Sequence, residues 1–158
     1  MDIHDLEDPS VLRSMYSHRF SSSELENKET LWRTLCEAVF QEYVPAAGTV
    51  LDLGAGNCEF VNNISASKKI AVDLNPDLQT FAAADVEVIN ADSRDMKAVE
   101  TGSIDTIFTS NFFEHLSSPE ALLETLTECR RILNSGGTIV ELMPNIRNHP
   151  GKYWDFLD

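Results

Sequence analysis

Residues 50–60 read Val50-Leu51-Asp52-Leu53-Gly54-Ala55-Gly56-Asn57-Cys58-Glu59-Phe60. Thr49–Leu53 is a short apolar run with β-branched residues, which predicts a strand. Gly54 ends it, and residues 57–66 predict a helix. Glycine carries no Cβ, so Gly54 and Gly56 let the backbone approach a ligand closely. A plain turn would also use glycines. The position directly after a strand favours a ligand-binding loop.

Outward from this loop the pattern alternates. Lys69–Asp73, Val86–Asn90, Ile104–Ser110 and Gly137–Met143 read as further strands. Asp77–Ala84 reads as a helix between the second and third. Ser118-Pro119-Glu120 is a helix start, with a serine cap, a proline in the first turn and a carboxylate near the positive end of the dipole. Leu122, Leu126, Cys129 and Leu133 then fall on one predicted face, and Gly136-Gly137 is the expected stop. Upstream, Leu25, Leu31, Leu35, Val39 and Phe40 predict an amphipathic helix over Ser23–Tyr43. Strands separated by helices imply an α/β, Rossmann-like three-layer αβα sandwich with a mostly parallel sheet. Ligands of such sheets bind beyond the carboxyl ends of the strands.

The choice of ligand turns on charge. A dinucleotide fingerprint needs glycine three residues after Gly56, and that position is Glu59. A carboxylate there repels a pyrophosphate on the helix N-terminus. This argues against NAD. S-adenosylmethionine bears an amine and a sulfonium and no phosphate, so it tolerates Asp52 and Glu59. Asp73 ends the second strand, 21 residues after Asp52, where a carboxylate suits ribose hydroxyls. Asp92 and Ser93 follow the third strand, where a carboxylate can accept from an adenine amino group.

VLDLGAGNCEF, IAVDLNPD, VINADSRDM, SIDTIFTSNFFEHL and RRILNSGGTIVELMPN together resemble the successive motifs of class I S-adenosylmethionine-dependent methyltransferases, over roughly residues 48–145. The resemblance implies that Asp52, Gly54, Ala55 and Gly56 line the methionyl part of the cofactor. It implies that Asp73 holds the ribose, that Leu74 packs on the adenine, and that Asp92 and Ser93 flank the ring. Asn111 and Phe112 would face the methionine end. Two departures stand out. The third glycine of the family's loop is Cys58, and five strands are visible where the family sheet has seven. The family's C-terminal hairpin has no residues left to form it, so a truncated chain is expected. An exposed sheet edge would then favour self-association. Residues 1–47 are expected to form a helical cap or lid, with Tyr16 or Arg19 reaching the cofactor, and 48–158 the cofactor-binding domain.

Methyl transfer needs an oriented acceptor and, for a hydroxyl or amine, a proton acceptor. His115, in the loop after the fourth strand, is the candidate base; its ordinary pKa of about 6.5 suits that task. A purely structural histidine is the competing reading. Asp105 starts its strand, at the wrong end for chemistry, and reads as structural. Asn145, Arg147, His149, Tyr153 and Trp154 form a polar-aromatic cluster suited to a sugar or other small acceptor.

Composition narrows the partners. The 158 residues carry 26 acidic and 12 basic side chains, a net charge of −14 that repels phosphate backbones and argues against a nucleic-acid partner. No apolar run reaches the roughly 20 residues of a membrane span. Cys36, Cys58 and Cys129 lack metal-ligand spacing; no metal is expected, and a reducing cytoplasm fits. The sequence thus predicts a methyltransferase acting on a small-molecule acceptor. The alternative is a cofactor-binding or inactive module that works through a partner.

Overall fold

The computed structural model describes residues 22–145 and 147. Its core is one five-stranded sheet, β1 (Thr49–Leu53), β2 (Lys68–Asp73), β3 (Val86–Asn90), β4 (Ile104–Ser110) and β5 (Leu133–Leu142), in the order β3-β2-β1-β4-β5. All four pairings are parallel. The helices are α1 (Ser22–Ala38), α2 (Glu59–Asn63), α3 (Leu78–Phe81) and α4 (Pro119–Ile132). This is the expected Rossmann-like α/β arrangement.

Side-chain alternation along each strand builds two apolar layers. On one face Val50, Ala71 and Phe108 pack with Cys36 and Phe40, and with Phe60 and Val61 of α2. Phe60 stacks on Phe108 with ring centroids 3.6 Å apart. On the other face Leu51, Leu53, Ile70, Val72 and Ile107 pack with Met96, Val99, Cys129 and Ile132. Asp105 is the structural carboxylate the sequence implied. It accepts from the Thr49 amide at 2.7 Å and from the Asn134 side chain, pinning β1 and β5 to the start of β4.

Several boundaries differ from expectation. α1 ends at Ala38, and Phe40–Glu42 tightens into a 3₁₀ turn rather than continuing to Tyr43. α2 is five residues long because Ile64 is already extended, and α3 stops at Phe81 because Ala82 is extended. The buried stripe of α4 is Ala121, Thr125, Cys129 and Ile132, not Leu122, Leu126, Cys129 and Leu133. Cys129 and Ile132 pack into the layer on this face of the sheet, and the buried Thr125 hydroxyl shares a hydrogen bond of 2.8 Å with Ser93. Leu126 is left exposed. Gly136-Gly137 does not stop α4. The helix ends at Ile132, and the extended Leu133 pairs directly with Ile104. The glycines sit in a register shift instead: pairing resumes at Thr106↔Thr138, and Gly136 has φ +95°.

The Ser118 cap is as expected. Its hydroxyl accepts from the Ala121 amide, with Pro119 in the first turn. Ser118→Ala should lower the unfolding free energy by about 1 kcal/mol in denaturant titration.

Candidate active site

Parallel register brings the carboxyl ends of β1, β2 and β4 side by side, with Leu53 opposite Val72 and Thr109. The chain then folds back on itself. The amides of Gly54 and Ala55 both donate to Val72 O, at 2.9 and 3.2 Å. Gly54 and Gly56 take φ of +70° and +53°, a region that glycine enters without steric cost. Cys58, where a third glycine was expected, is also left-handed at φ +61°. Its fully buried thiol and its amide bond to Ala55 O (2.7 Å) hold it there.

Asp73 joins two loops. One carboxylate oxygen accepts from the Gly56 amide and the other from the Asn75 amide, both at 2.8 Å. Asn90, at the end of β3, donates to Asn75 O at 2.6 Å. Leu74 between them is exposed. Asp92 faces a bidentate partner in Arg94, whose guanidinium holds the carboxyl below the usual carboxylate range. The Ser93 hydroxyl is turned inward to Thr125, leaving its backbone nearer the loop.

The fourth wall follows β4. Asn111 is left-handed at φ +48°, and its amide donates to Leu142 O at 3.0 Å. Phe112 lies against the glycine loop: a Cβ on Gly54 would stand 2.4 Å from the Phe112 ring. His115 closes the 3₁₀ turn Phe113–His115 with its side chain exposed. Glu114 faces Glu141 of β5, whose carboxyl is raised by burial and by that like charge.

The electrostatics are one-signed. Asp52 is buried below the loop, and burial, with Glu59 and Asp73 adding, pushes its carboxyl well above the ordinary range against the opposing Val61 amide. Lys28 of α1 pairs with Glu59. Cys36 and Cys58 are pushed up to about 12, chiefly by burial, so neither is a nucleophile. Such a lining suits a cationic ligand and resists a phosphate. Among the described residues no cluster has metal-ligating composition. No helix among them is long and apolar enough to cross a membrane.

Asp52, Gly54, Ala55, Gly56, Asp73 and Leu74 thus lie at or just beyond the carboxyl ends of the adjacent β1 and β2, Asn111 and Phe112 follow β4 with Phe112 against Gly54, and Asp92 and Ser93 follow β3. Tyr16, Arg19, His149, Tyr153 and Trp154 lie outside the described residues. Asn145 and Arg147 are exposed. Sequence reading missed Asn75, Asn90 and Arg94, which brace the site through hydrogen bonds. An Asx-turn pattern in Asp73-Leu74-Asn75-Pro76-Asp77 was the available signal for Asn75, whose Oδ1 accepts from the Asp77 amide.

Comparison with known proteins agrees with this architecture. The family profile described as a methyltransferase domain matches residues 51–140, more than half of the chain. The chain belongs to this family of S-adenosylmethionine-dependent methyltransferase domains. A curated relative from Aspergillus luteorubrus, named "Probable methyltransferase ltbC", is 28% identical over 142 residues, covering 78% of this chain and 50% of its own. The chain thus spans about half the length of that relative. A crystal structure of an S-adenosylmethionine-dependent methyltransferase from Archaeoglobus fulgidus is 29% identical, with a TM-score of 0.61, covering 75% of this chain and 53% of that one. Phosphoethanolamine N-methyltransferase 1 of Haemonchus contortus, solved with phosphoethanolamine and S-adenosylhomocysteine, shares the fold. It is 17% identical with a TM-score of 0.65, covering 88% and 32%. S-adenosylmethionine is accordingly the expected cofactor, and the carboxylate-rich lining fits its ammonium and sulfonium.

A carboxyl raised on folding stabilises the fold fully below its unfolded pKa, near 4, and loses that contribution as pH rises through the folded value. Asp52 is such a group. The melting temperature of Asp52→Asn relative to wild type should therefore climb between pH 4 and pH 8 in scanning calorimetry without ligand. A flat difference would contradict the burial of a titrating Asp52.

Proposed function

We propose that this chain binds S-adenosylmethionine across the ends of β1, β2 and β3 and transfers its methyl group to a small-molecule acceptor, a sugar or other metabolite, held beyond β4. The carrying observation is Asp73. Each of its oxygens uses one lone pair on a loop amide and keeps another for a ribose hydroxyl. Gly54, Ala55 and Gly56 lie along the methionyl part, with Asp52 buried beneath them. Leu74 covers the adenine face. Asp92, oriented by Arg94, accepts from the adenine amino group beside the Ser93 backbone. Asn111 and Phe112 border the methyl end.

In the reaction the acceptor's lone pair forms a bond to the methyl carbon as the carbon–sulfur bond breaks. Its electrons stay on sulfur, which becomes the neutral thioether of S-adenosylhomocysteine. The acceptor's proton passes to His115, which is exposed on the loop beside Phe112. The net charge of −14 supports a small acceptor over a nucleic acid. Residues 1–47 form the cap of this domain in the proposal.

A second reading is motivated by β5, whose outer edge pairs with no strand among the described residues and where Ile139, Leu142 and Met143 are exposed. In that reading the domain associates through this edge, with a second copy of itself or with a partner that completes the active protein.

Calorimetry with S-adenosylhomocysteine tests the cofactor assignment: Asp73→Ala should weaken binding by at least about a hundredfold, given two lost charge-assisted bonds and two loosened loops. Unchanged affinity would remove it. With an acceptor found by screening for S-adenosylhomocysteine release, His115→Ala should lower kcat about a hundredfold or more with little change in cofactor affinity. An unchanged kcat would leave His115 structural.

A further inference from the structure

β4 ends at Ser110 with extended geometry, and the chain must then turn to close the cleft. Asn111 makes that turn. It is one of two non-glycine residues with positive φ among the described residues, at +48°. Its main-chain amide donates to Leu142 O, the last residue of β5, at 3.0 Å. Its side-chain amide donates only to the neighbouring Ser110 hydroxyl, at 3.2 Å on the exposed surface. Phe112 follows with φ −116° and ψ −48° and opens the 3₁₀ turn that carries His115. The Phe112 ring then lies so near the Gly54 Cα that Cδ2 and Cγ would stand 2.4 and 2.8 Å from any Cβ there. Gly54 is thus demanded twice, by its own φ of +70° and by this ring.

We infer that Asn111 is a positioning residue, acting through its left-handed backbone rather than through its amide: it seats Phe112 against Gly54 and so ties the end of β5 to the glycine loop. Asparagine is among the few side chains that enter this region readily, which explains its presence where no amide contact to the cleft is built. Glycine reproduces the backbone without the amide. Valine keeps neither, because its branched Cβ opposes positive φ. In a surface loop that opposition is relieved by opening, and ligand binding must then close the loop again. The inference rests on the reading that the cofactor lies over Gly54–Gly56.

Two measurements on the full chain test it. In calorimetry with S-adenosylhomocysteine, Asn111→Val should bind at least about tenfold more weakly than Asn111→Gly, with Asn111→Ala between them. In amide NMR without ligand, the ring current of Phe112 should give Gly54 a displaced resonance that persists in Asn111→Gly and collapses in Asn111→Val. Equal losses in the glycine and valine variants would assign the role to the amide and overturn the inference. Wild-type affinity and an unmoved Gly54 resonance in the valine variant would also overturn it. If Asn111→Val does not fold by circular dichroism, the alanine and glycine variants decide by the same two readouts, and indistinguishable results overturn it. Failure of the wild-type protein to bind S-adenosylhomocysteine would remove the cofactor reading, while the Gly54 resonance would still judge Asn111.

Discussion

The Asp73 carboxylate is the constraint on which the cleft depends. Its two oxygens hold the amides of Gly56 and Asn75, so one side chain sets the separation of the loops that follow β1 and β2. Each loop has backbone bonds of its own, Cys58 N to Ala55 O in one and Leu78 N to Asn75 O in the other. α2 and α3 span five and four residues, too short for helical cooperativity to order what precedes them. The backbone bonds from Gly54 and Ala55 to Val72 O place the start of the glycine loop, and Asp73 places its end. Asn90 extends the same bracing to β3 through Asn75 O. Three strand ends are thereby locked in one geometry by hydrogen bonds near 2.8 Å, each of which would otherwise be an amide or carbonyl awaiting a partner.

That bracing has an electrostatic consequence. A glycine loop leading into a helix usually offers bare amides to an anion. Here the amide that would greet a phosphate, Gly56 N, is already spent on Asp73, and Glu59 adds a carboxylate in the first turn of α2, where Lys28 of α1 pairs with it. Burial, with the neighbouring Glu59 and Asp73 adding, raises Asp52, so the carboxyl beneath the loop favours its neutral form. A cationic ligand beside it would favour the charged form, whereas a pyrophosphate would raise it further.

Much of this was legible in the residues. Strands alternating with helices specify the parallel sheet, and the near-continuous burial of Val50–Leu53 and Ile104–Phe108 is that of strands covered on both faces. Asp52 and Asp73 stand out because they lie at the ends of strands, and Asp92 because it follows one. What was not legible is contact between distant segments. The leucines of α4 looked like its core face, yet the sheet selects Ala121, Thr125 and Cys129, and only the Ser93 hydroxyl makes a buried Thr125 tolerable. No periodicity shows that bond. Gly136-Gly137 looked like a helix stop because glycine prefers such positions. The structure uses the pair for a register shift beside Ile104, where a Cβ on Gly137 would press on the Ile104 carbonyl. Arg94 was unremarkable in sequence, and only its bidentate grip on Asp92 gives it a place in the site.

Among the described residues two non-glycines are held at positive φ, Cys58 after β1 and Asn111 after β4, and they are held by different means. Such conformations cost of order 1–3 kcal/mol and persist only where surroundings over-determine them. Cys58 is over-determined by the core: its side chain is fully buried against the layer containing Phe60 and Phe108, so the glycine loop is as rigid as the sheet beneath it. Asn111 has no such burial. Its main-chain amide donates to the last residue of β5 and its side chain to the neighbouring Ser110 hydroxyl, and the outer edge of β5 is unpaired among the described residues. The loop after β1 is thus held by packing and the loop after β4 by hydrogen bonds at the surface. Whatever pairs with or covers β5 acts on Leu142, through it on Asn111, and so on the placement of Phe112 over Gly54.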